Sequence, residues 1–313
     1  MPGETPAAVP SYRHSALFIG VDAGGSHTEA VVVRADLRVL ARARGRAGAL
    51  SPDNASQVAG TIAEVAREAL QQAGASQVEA LAVGATGAGR ARERTALEEA
   101  LRAERVASRV RVVADGEAGL ESAFPSGPGI LLISGTGSIA YARDASGTVR
   151  RVGGLGWQLG DEGSGYALGR AALGAAGRAA DGRGPPTLLA DRIPRAVGVA
   201  DLDELVRWAQ RATRADLSAL AQIAGNAAVE GDPVARELIE ATAHDLATHV
   251  VALLRRLGPE QPAGIALAGG LLSPGSPVRT SLVAALGRVA PQLEVVATAV
   301  DPALGAARVA TRL

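Results

Sequence analysis

Apolar residues along this chain fall into short runs that stop at glycine, alternating with longer stretches of helical spacing. Residues 16–21 (ALFIGV) form such a run and end in Asp22 and a Gly-Gly turn; apolar positions resume at 28–33 (TEAVVV) and again at 37–42. Three short runs joined by tight turns predict a β-meander, whereas a dinucleotide-binding fingerprint needs a helix directly after its glycines. Residues 54–73 carry apolar positions at helical spacing, and 78–83 read as a strand that ends in GATGAG. A helix over 95–102, a strand over 110–113 and a helix or turn over 116–123 follow. The pattern then starts again: 129–134 (GILLIS) is an apolar strand ending in Gly-Thr-Gly, and 138–143 resumes as a strand. Such repetition suggests one β-meander-plus-αβ module present twice. Beyond Gly165 the spacing is helical over 202–212, 217–230 and 233–257. A strand at 265–268, a helix at 278–290, a strand at 293–297 and a last helix from Ala303 complete the reading.

These elements predict an α/β chain of two domains. Residues 1–15, with prolines among small residues, read as a flexible tail. Residues 16–124 form an N-terminal domain, and FPSGP at 124–128 reads as the linker. Residues 125–313 form a larger domain with a helical insertion, its last helix able to pack back on the first domain. A length of 313 residues suits two such cores.

Composition narrows the chemistry. Hydrophobic residues make up 47% of the chain but aromatic residues only 2%, so the cores must be built from Ala, Val, Leu and Ile. Lys+Arg and Asp+Glu both total 32, which gives nucleic acid or an anionic membrane no electrostatic footing. The absence of cysteine removes disulfides, thiolate nucleophiles, thiolate zinc sites and cysteine-held iron–sulfur clusters. His244 and His249 are five apart and do not share a helix face as a metal-binding pair would. Every basic side chain apart from histidine is arginine, which excludes a P-loop, since that loop needs its lysine. No apolar run approaches the roughly 18 residues that span a bilayer, so a cytoplasmic protein is expected.

Two glycine turns carry the strongest chemical signal. DAGGS (Asp22, Gly24, Gly25, Ser26, with Thr28 just beyond) and SGTGS (Gly135, Thr136, Gly137, Ser138) both end a strand. Glycine lets backbone N–H groups approach an oxyanion without interference from Cβ, so the pair could clasp the phosphates of a nucleotide across a cleft. Either turn alone is equally a plain hairpin. Asp22 suits a Mg²⁺ held through water, or an Asx turn. Asp115 ends the strand VRVVAD; it suits a base that accepts the proton of a sugar hydroxyl, or a helix cap. GWQLGDEGSGYALG is the densest constellation. Asp161 and Glu162 fit paired hydroxyls of a neutral polyol or the start of a helix, with Gly156 and Trp157 beside them. Gly269 and Gly270, after the strand IALA, leave room for a flat adenine.

In this order GVDAGGSHTEAVVV, VVADGEAGLESAF, GILLISGTGSIAYA, GGLGWQLGDEGSGYALGRAAL and IALAGGLL resemble the BadF/BadG/BcrA/BcrD-type ATPase family, and within it the N-acetylglucosamine kinase and glucosamine kinase branch. The resemblance runs from Leu17 to the C-terminus. It implies the two-domain actin/hexokinase-type (ribonuclease H-like) ATPase fold and transfer of phosphoryl from Mg²⁺-ATP to the 6-hydroxyl of an amino sugar. It also implies Asp115 as base, the turns at Asp22 and Gly135 as phosphate loops, Asp161 as sugar ligand, Gly269-Gly270 as adenosine loop, and a homodimer. Two positions depart from the branch: Ile139 stands where Asn often contacts the sugar, and Ser51 stands at the Asn of a G-x-x-N pattern. A kinase of another sugar and a non-catalytic sugar or nucleotide sensor therefore stay open. The family's dehydratase activators use cysteines to hold an iron–sulfur cluster, and this chain has none.

Overall fold

The computed structural model describes residues 16–25, 27–258 and 261–313; the expected tail at 1–15 and the candidate residue Ser26 lie outside the described residues. Packing divides the chain into one unit that runs through Ser126 and takes in Val300–Leu313, and a second of Gly127–Ala299.

The first unit opens with β1 (Leu17–Ala23), β2 (Thr28–Arg34) and β3 (Val39–Gly45), an antiparallel meander. Helix α1 (Ala55–Gln72) leads to β4 (Val78–Ala85), α2 (Ala91–Ala103) to β5 (Ala107–Ala114), and α3 (Asp115–Ala123) closes this stretch. The sheet order is β3-β2-β1-β4-β5, with β4 and β5 parallel to β1. Alternation along β1 sorts its side chains between two layers. Ile19, Val21 and Ala23 pack with α1 and α2, whereas Phe18 joins Val31 and Val33 on the opposite face.

The second unit repeats this plan. Strands β6 (Gly129–Ser134), β7 (Ser138–Arg143) and β8 (Val149–Gly153) form an antiparallel meander. A helical block follows: α4 (Gly165–Ala180), α5 (Leu189–Val197), α6 (Leu202–Arg211), α7 (Arg214–Val229) and α8 (Pro233–Leu257). Strand β9 (Gly264–Ala268), a 3₁₀ turn at Gly270–Leu272, α9 (Pro277–Val289) and β10 (Glu294–Val295) complete the unit. Its sheet order, β8-β7-β6-β9-β10, has the arrangement of the first sheet, strand for strand. The chain then returns to the first unit as α10 (Pro302–Ala310), whose Ala303, Ala307 and Ala310 cover the face of Phe18, Val31 and Val33.

Helix starts follow local chemistry. Asp232 caps α8 by accepting from the Ala235 N–H, with Pro233 in the first turn, and Thr213 and Asp216 form a reciprocal capping box on α7. Three elements differ from the sequence expectation. Strand β8 has no fully buried position, so its edge placement leaves no alternation to read. Helix α5 carries Pro194 inside it, which interrupts the helical pattern. Strand β10 keeps only two paired residues of the five expected, because it sits at the sheet edge.

Candidate active site

In the first unit, Asp115 follows β5 and opens α3. The Thr86 hydroxyl donates to its Oδ2 at 2.7 Å, and the Gly116 N–H donates to its Oδ1 at 2.8 Å. Thr86 is itself fixed between elements: its N–H donates to the Ala23 carbonyl and its carbonyl accepts from the Leu50 N–H. The helix cap is Ala114, so the carboxylate is oriented by side chain and first-turn backbone at the C-terminal end of a strand.

Asp22 lies opposite Glu29 in the β1–β2 register. Burial, then the negative charges of Asp115, Glu29 and Asp301, push its carboxyl up to about 6. In the adjoining turn the carbonyls of Ala23, Gly24 and His27 accept from Thr86, Gly48 and Gly24 N–H groups, and nothing lies within 4 Å of a Cβ placed on Gly25. Thr28 departs from the expected nucleotide contact. It is fully buried, its hydroxyl lies beside Gly48, and it offers a nucleotide no surface. Ser51 is exposed, and its N–H donates to the Asn54 side chain.

In the second unit, the SGTGS turn is braced against the GDEGS turn. The hydroxyls of Ser134 and Ser138 donate to the carbonyls of Gly163 and Glu162, at 2.7 and 2.6 Å. The carbonyls of Gly135, Thr136 and Gly137 accept from the N–H groups of Gly165, Tyr166 and Gly135. With its carbonyls occupied, the turn keeps the N–H groups of Thr136 and Gly137 and the exposed Thr136 side chain without partners among the described residues. That polarity suits an anion. Ser138, expected to contact the nucleotide, is buried, and its hydroxyl acts as a brace.

Asp161 is buried at φ +67°, accepting from the Ser138 N–H at 3.3 Å and from Arg214 Nη2 at 2.5 Å. Each of its oxygens thus accepts one hydrogen bond within the chain. Its neighbour Glu162 is exposed and lines a groove of 630 Å³ with Trp157, Gly160, Tyr166 and Arg170. Trp157 meets Tyr166 edge to face at 5.7 Å, and Gly156 at φ +87° turns the chain into this loop. Gly269, at φ +91°, would place a Cβ 2.2 Å from the Ser134 carbonyl oxygen, whereas Gly270 has open space above it.

Across residues 19–310 the sequence matches the BadF/BadG/BcrA/BcrD ATPase family. The chain belongs to that family. As a BadF/BadG/BcrA/BcrD ATPase it is similar at full length to the N-acetylmuramic acid/N-acetylglucosamine kinase of Clostridium acetobutylicum, with 29% identity over 297 residues, 93% of this chain and 97% of the relative. A solved structure from Chromobacterium violaceum, for which N-acetylglucosamine kinase activity is proposed, superposes with a TM-score of 0.77 at 31% identity, covering 93% of this chain and 97% of that one. A ROK family glucokinase from Streptomyces griseus, solved with glucose and AMPPNP, gives 0.61 at 19% identity over 95% of this chain and 100% of that one. That likeness is one of fold: this family member has the actin/hexokinase-type α/β fold.

Two side chains at these turns were not legible from motifs. Thr86 and Arg214 reach Asp115 and Asp161 only through tertiary contacts, 29 and 53 residues apart in sequence. Among the described residues no group of three or more His, Cys, Asp or Glu could cage a metal ion. A divalent cation would therefore rest on the single carboxylate of Asp22, water and nucleotide oxygens, the usual environment of Mg²⁺. The raised carboxyl of Asp22, buried near Asp115, Glu29 and Asp301, fits such a cation. Among the described residues no helix is long and apolar enough to cross a membrane.

Proposed function

We propose that this ATPase-family member is a kinase that transfers the γ-phosphoryl group of ATP to the 6-hydroxyl of an amino sugar, N-acetylglucosamine or glucosamine. One observation carries the reading: the Asp115 carboxylate is held at a strand end by Thr86 and Gly116, a fixed acceptor for a hydroxyl proton. Use of ATP rests on the family, and the amino-sugar class rests on the named activities of the full-length relative and the superposed structure. In the transfer the sugar oxygen bonds to the γ-phosphorus, the bond from that phosphorus to the bridging oxygen of ADP breaks, and the hydroxyl proton passes to Asp115. Positioning and electrostatics then do most of the work. Thr136, Gly137, Gly24 and Gly25 bind phosphate, Gly270 carries the adenosine, and Glu162, Trp157 and Gly156 border the acceptor. Asp22 would hold Mg²⁺, which would supply positive charge to neutralise the phosphates.

Ile139 favours a second reading of the acceptor. Its side chain packs so closely on Gly154 that a Cβ there would lie 2.3 Å from its Cδ1. An apolar residue at this place supplies no hydrogen bond to an acetamide, which would shift preference toward another sugar on the same machinery.

A coupled ADP-release assay tests both readings, with N-acetylglucosamine, glucosamine, glucose, N-acetylmannosamine and N-acetylmuramic acid as acceptors. Turnover on an amino sugar is expected, with Asp115→Asn reducing kcat by at least about 100-fold while ATP affinity stays within a few-fold. Near-normal turnover in Asp115→Asn sinks the base assignment. Turnover on glucose alone moves the acceptor to the second reading, and nucleotide binding without turnover leaves a sensor.

A further inference from the structure

The chain contains no lysine, so a permanently charged side chain that meets a nucleotide's phosphates must be arginine. One arginine is placed to do so. Helix α7 starts at Arg214, and its first turn is locked by the Thr213–Asp216 capping box. It lies close against α4 because α4 presents glycines: a Cβ on Gly169 would fall 1.8 Å from the Leu217 carbonyl oxygen, and one on Gly165 2.6 Å from Ser218 Oγ. This packing delivers the Arg214 guanidinium to the SGTGS turn. A Cβ on Gly137 would lie 2.7 Å from Nη2 of Arg214 and 3.0 Å from Oδ1 of Asp161.

We propose that Arg214 is a phosphate ligand, its guanidinium held by Asp161 beside Gly137 to bind the β- and γ-phosphates of the nucleotide at the Gly135–Ser138 turn. The proposal rests on reading that turn as a phosphate loop. Three observations go beyond a structural ion pair. Nε of Arg214 is buried without a hydrogen-bond partner in the described structure, although an isolated pair gains most when its donors are satisfied. The side chain is 38% exposed while that of Asp161 is 4% exposed, so the carboxylate is enclosed and the guanidinium keeps an open side. Asp161 also sits in the left-handed region, a conformation that non-glycine residues hold at a cost and that concentrates at functional sites. Asp161 thus aims the guanidinium, while the free N–H groups of Thr136 and Gly137 flank the same place. A planar fork beside backbone donors matches phosphate oxygens.

Calorimetric titration with ATP, ADP, AMP and adenosine separates this role from a merely structural one. Arg214→Met is expected to weaken ATP and ADP by about 10- to 100-fold and to leave AMP and adenosine unchanged. Arg214→Lys, which keeps the charge without the fork, should fall between and also serves if Arg214→Met folds poorly. Wild-type affinities throughout in Arg214→Met overturn the proposal. So does an equal loss on all four ligands, which marks general damage to the fold. Gly135→Ala, whose added Cβ meets nothing within 4 Å, serves as the control on the turn itself. If it weakens ATP and ADP while Arg214→Met does not, the phosphate loop stands without Arg214; if neither matters, both readings fail together.

Discussion

Asp22 shows how much one carboxylate owes to its surroundings. Its partner across the β1–β2 ladder is Glu29, and Arg42 already bridges Glu29 and Asp301, at 2.8 and 2.5 Å. Among the described residues no cation pairs with Asp22, and burial with three acidic neighbours holds its carboxyl at about 6, above the ordinary 3.8. The unfolded chain binds this proton only near pH 4, the folded chain up to about pH 6, so the folded state takes up a proton between them. Stability contributed by the protonated form is present below pH 4 and lost as pH rises through 6, a penalty of about 3 kcal/mol at neutral pH. Asp22→Asn removes it. In urea denaturation without nucleotide or Mg²⁺, the variant should match wild type near pH 4 and exceed it by up to about that amount at pH 7.5. A variant less stable than wild type at pH 7.5 would contradict the electrostatic account. Asp115 behaves differently in its origin: its place at the end of VRVVAD was visible, but Thr86, which orients it, lies on another strand end and carries no motif of its own.

Among the elements, the last helix is held by close backbone approach. Helix α10 meets β1 and α3 with backbone against backbone: a Cβ on Gly20 would lie 2.0 Å from the Ala303 carbonyl oxygen, and one on Gly305 1.9 Å from that of Ala118. Backbone cannot yield as a flexible side chain does, so Gly305→Ala should cost about 2 kcal/mol or more. Gly60, inside α1 with nothing within 4 Å of an added Cβ, supplies the contrast. Gly60→Ala should stabilise by about 0.5–1 kcal/mol through helix propensity and unfolded-state entropy. Denaturant midpoints for both variants check the pair, and equal effects would refute the close-approach account. The same scale explains what the apolar pattern missed. It found α8 over its full length because 25 residues of periodic burial are hard to mistake, whereas β8 and α5 have weak or interrupted patterns.

At the scale of the whole chain, two sheets of the same strand order each carry their own core, but only the second unit is continuous in sequence. The first needs residues 300–313 to cover Phe18, Val31, Val33, Ala80 and Ala82. A chain ending at Ala299 should therefore lose hydrogen-exchange protection in β1, β2 and β4 while β6, β7 and α8 keep theirs. Uniform loss across both units, or protection unchanged in the first, would show that the core is shared differently.

Local chemistry along the chain determined the glycine turns, the strand-ending Asp22 and Asp115, the repeated meander and the family, because each depends on residues adjacent in sequence. Tertiary structure alone decided which hydroxyls brace and which stay open, that Thr28 is buried, that Thr86 orients Asp115, and that Arg214 reaches Gly137 through Asp161. Those outcomes follow from helix and strand packing between segments distant in sequence, and an arginine at a helix start looks the same in a sequence whether it faces water or a glycine turn.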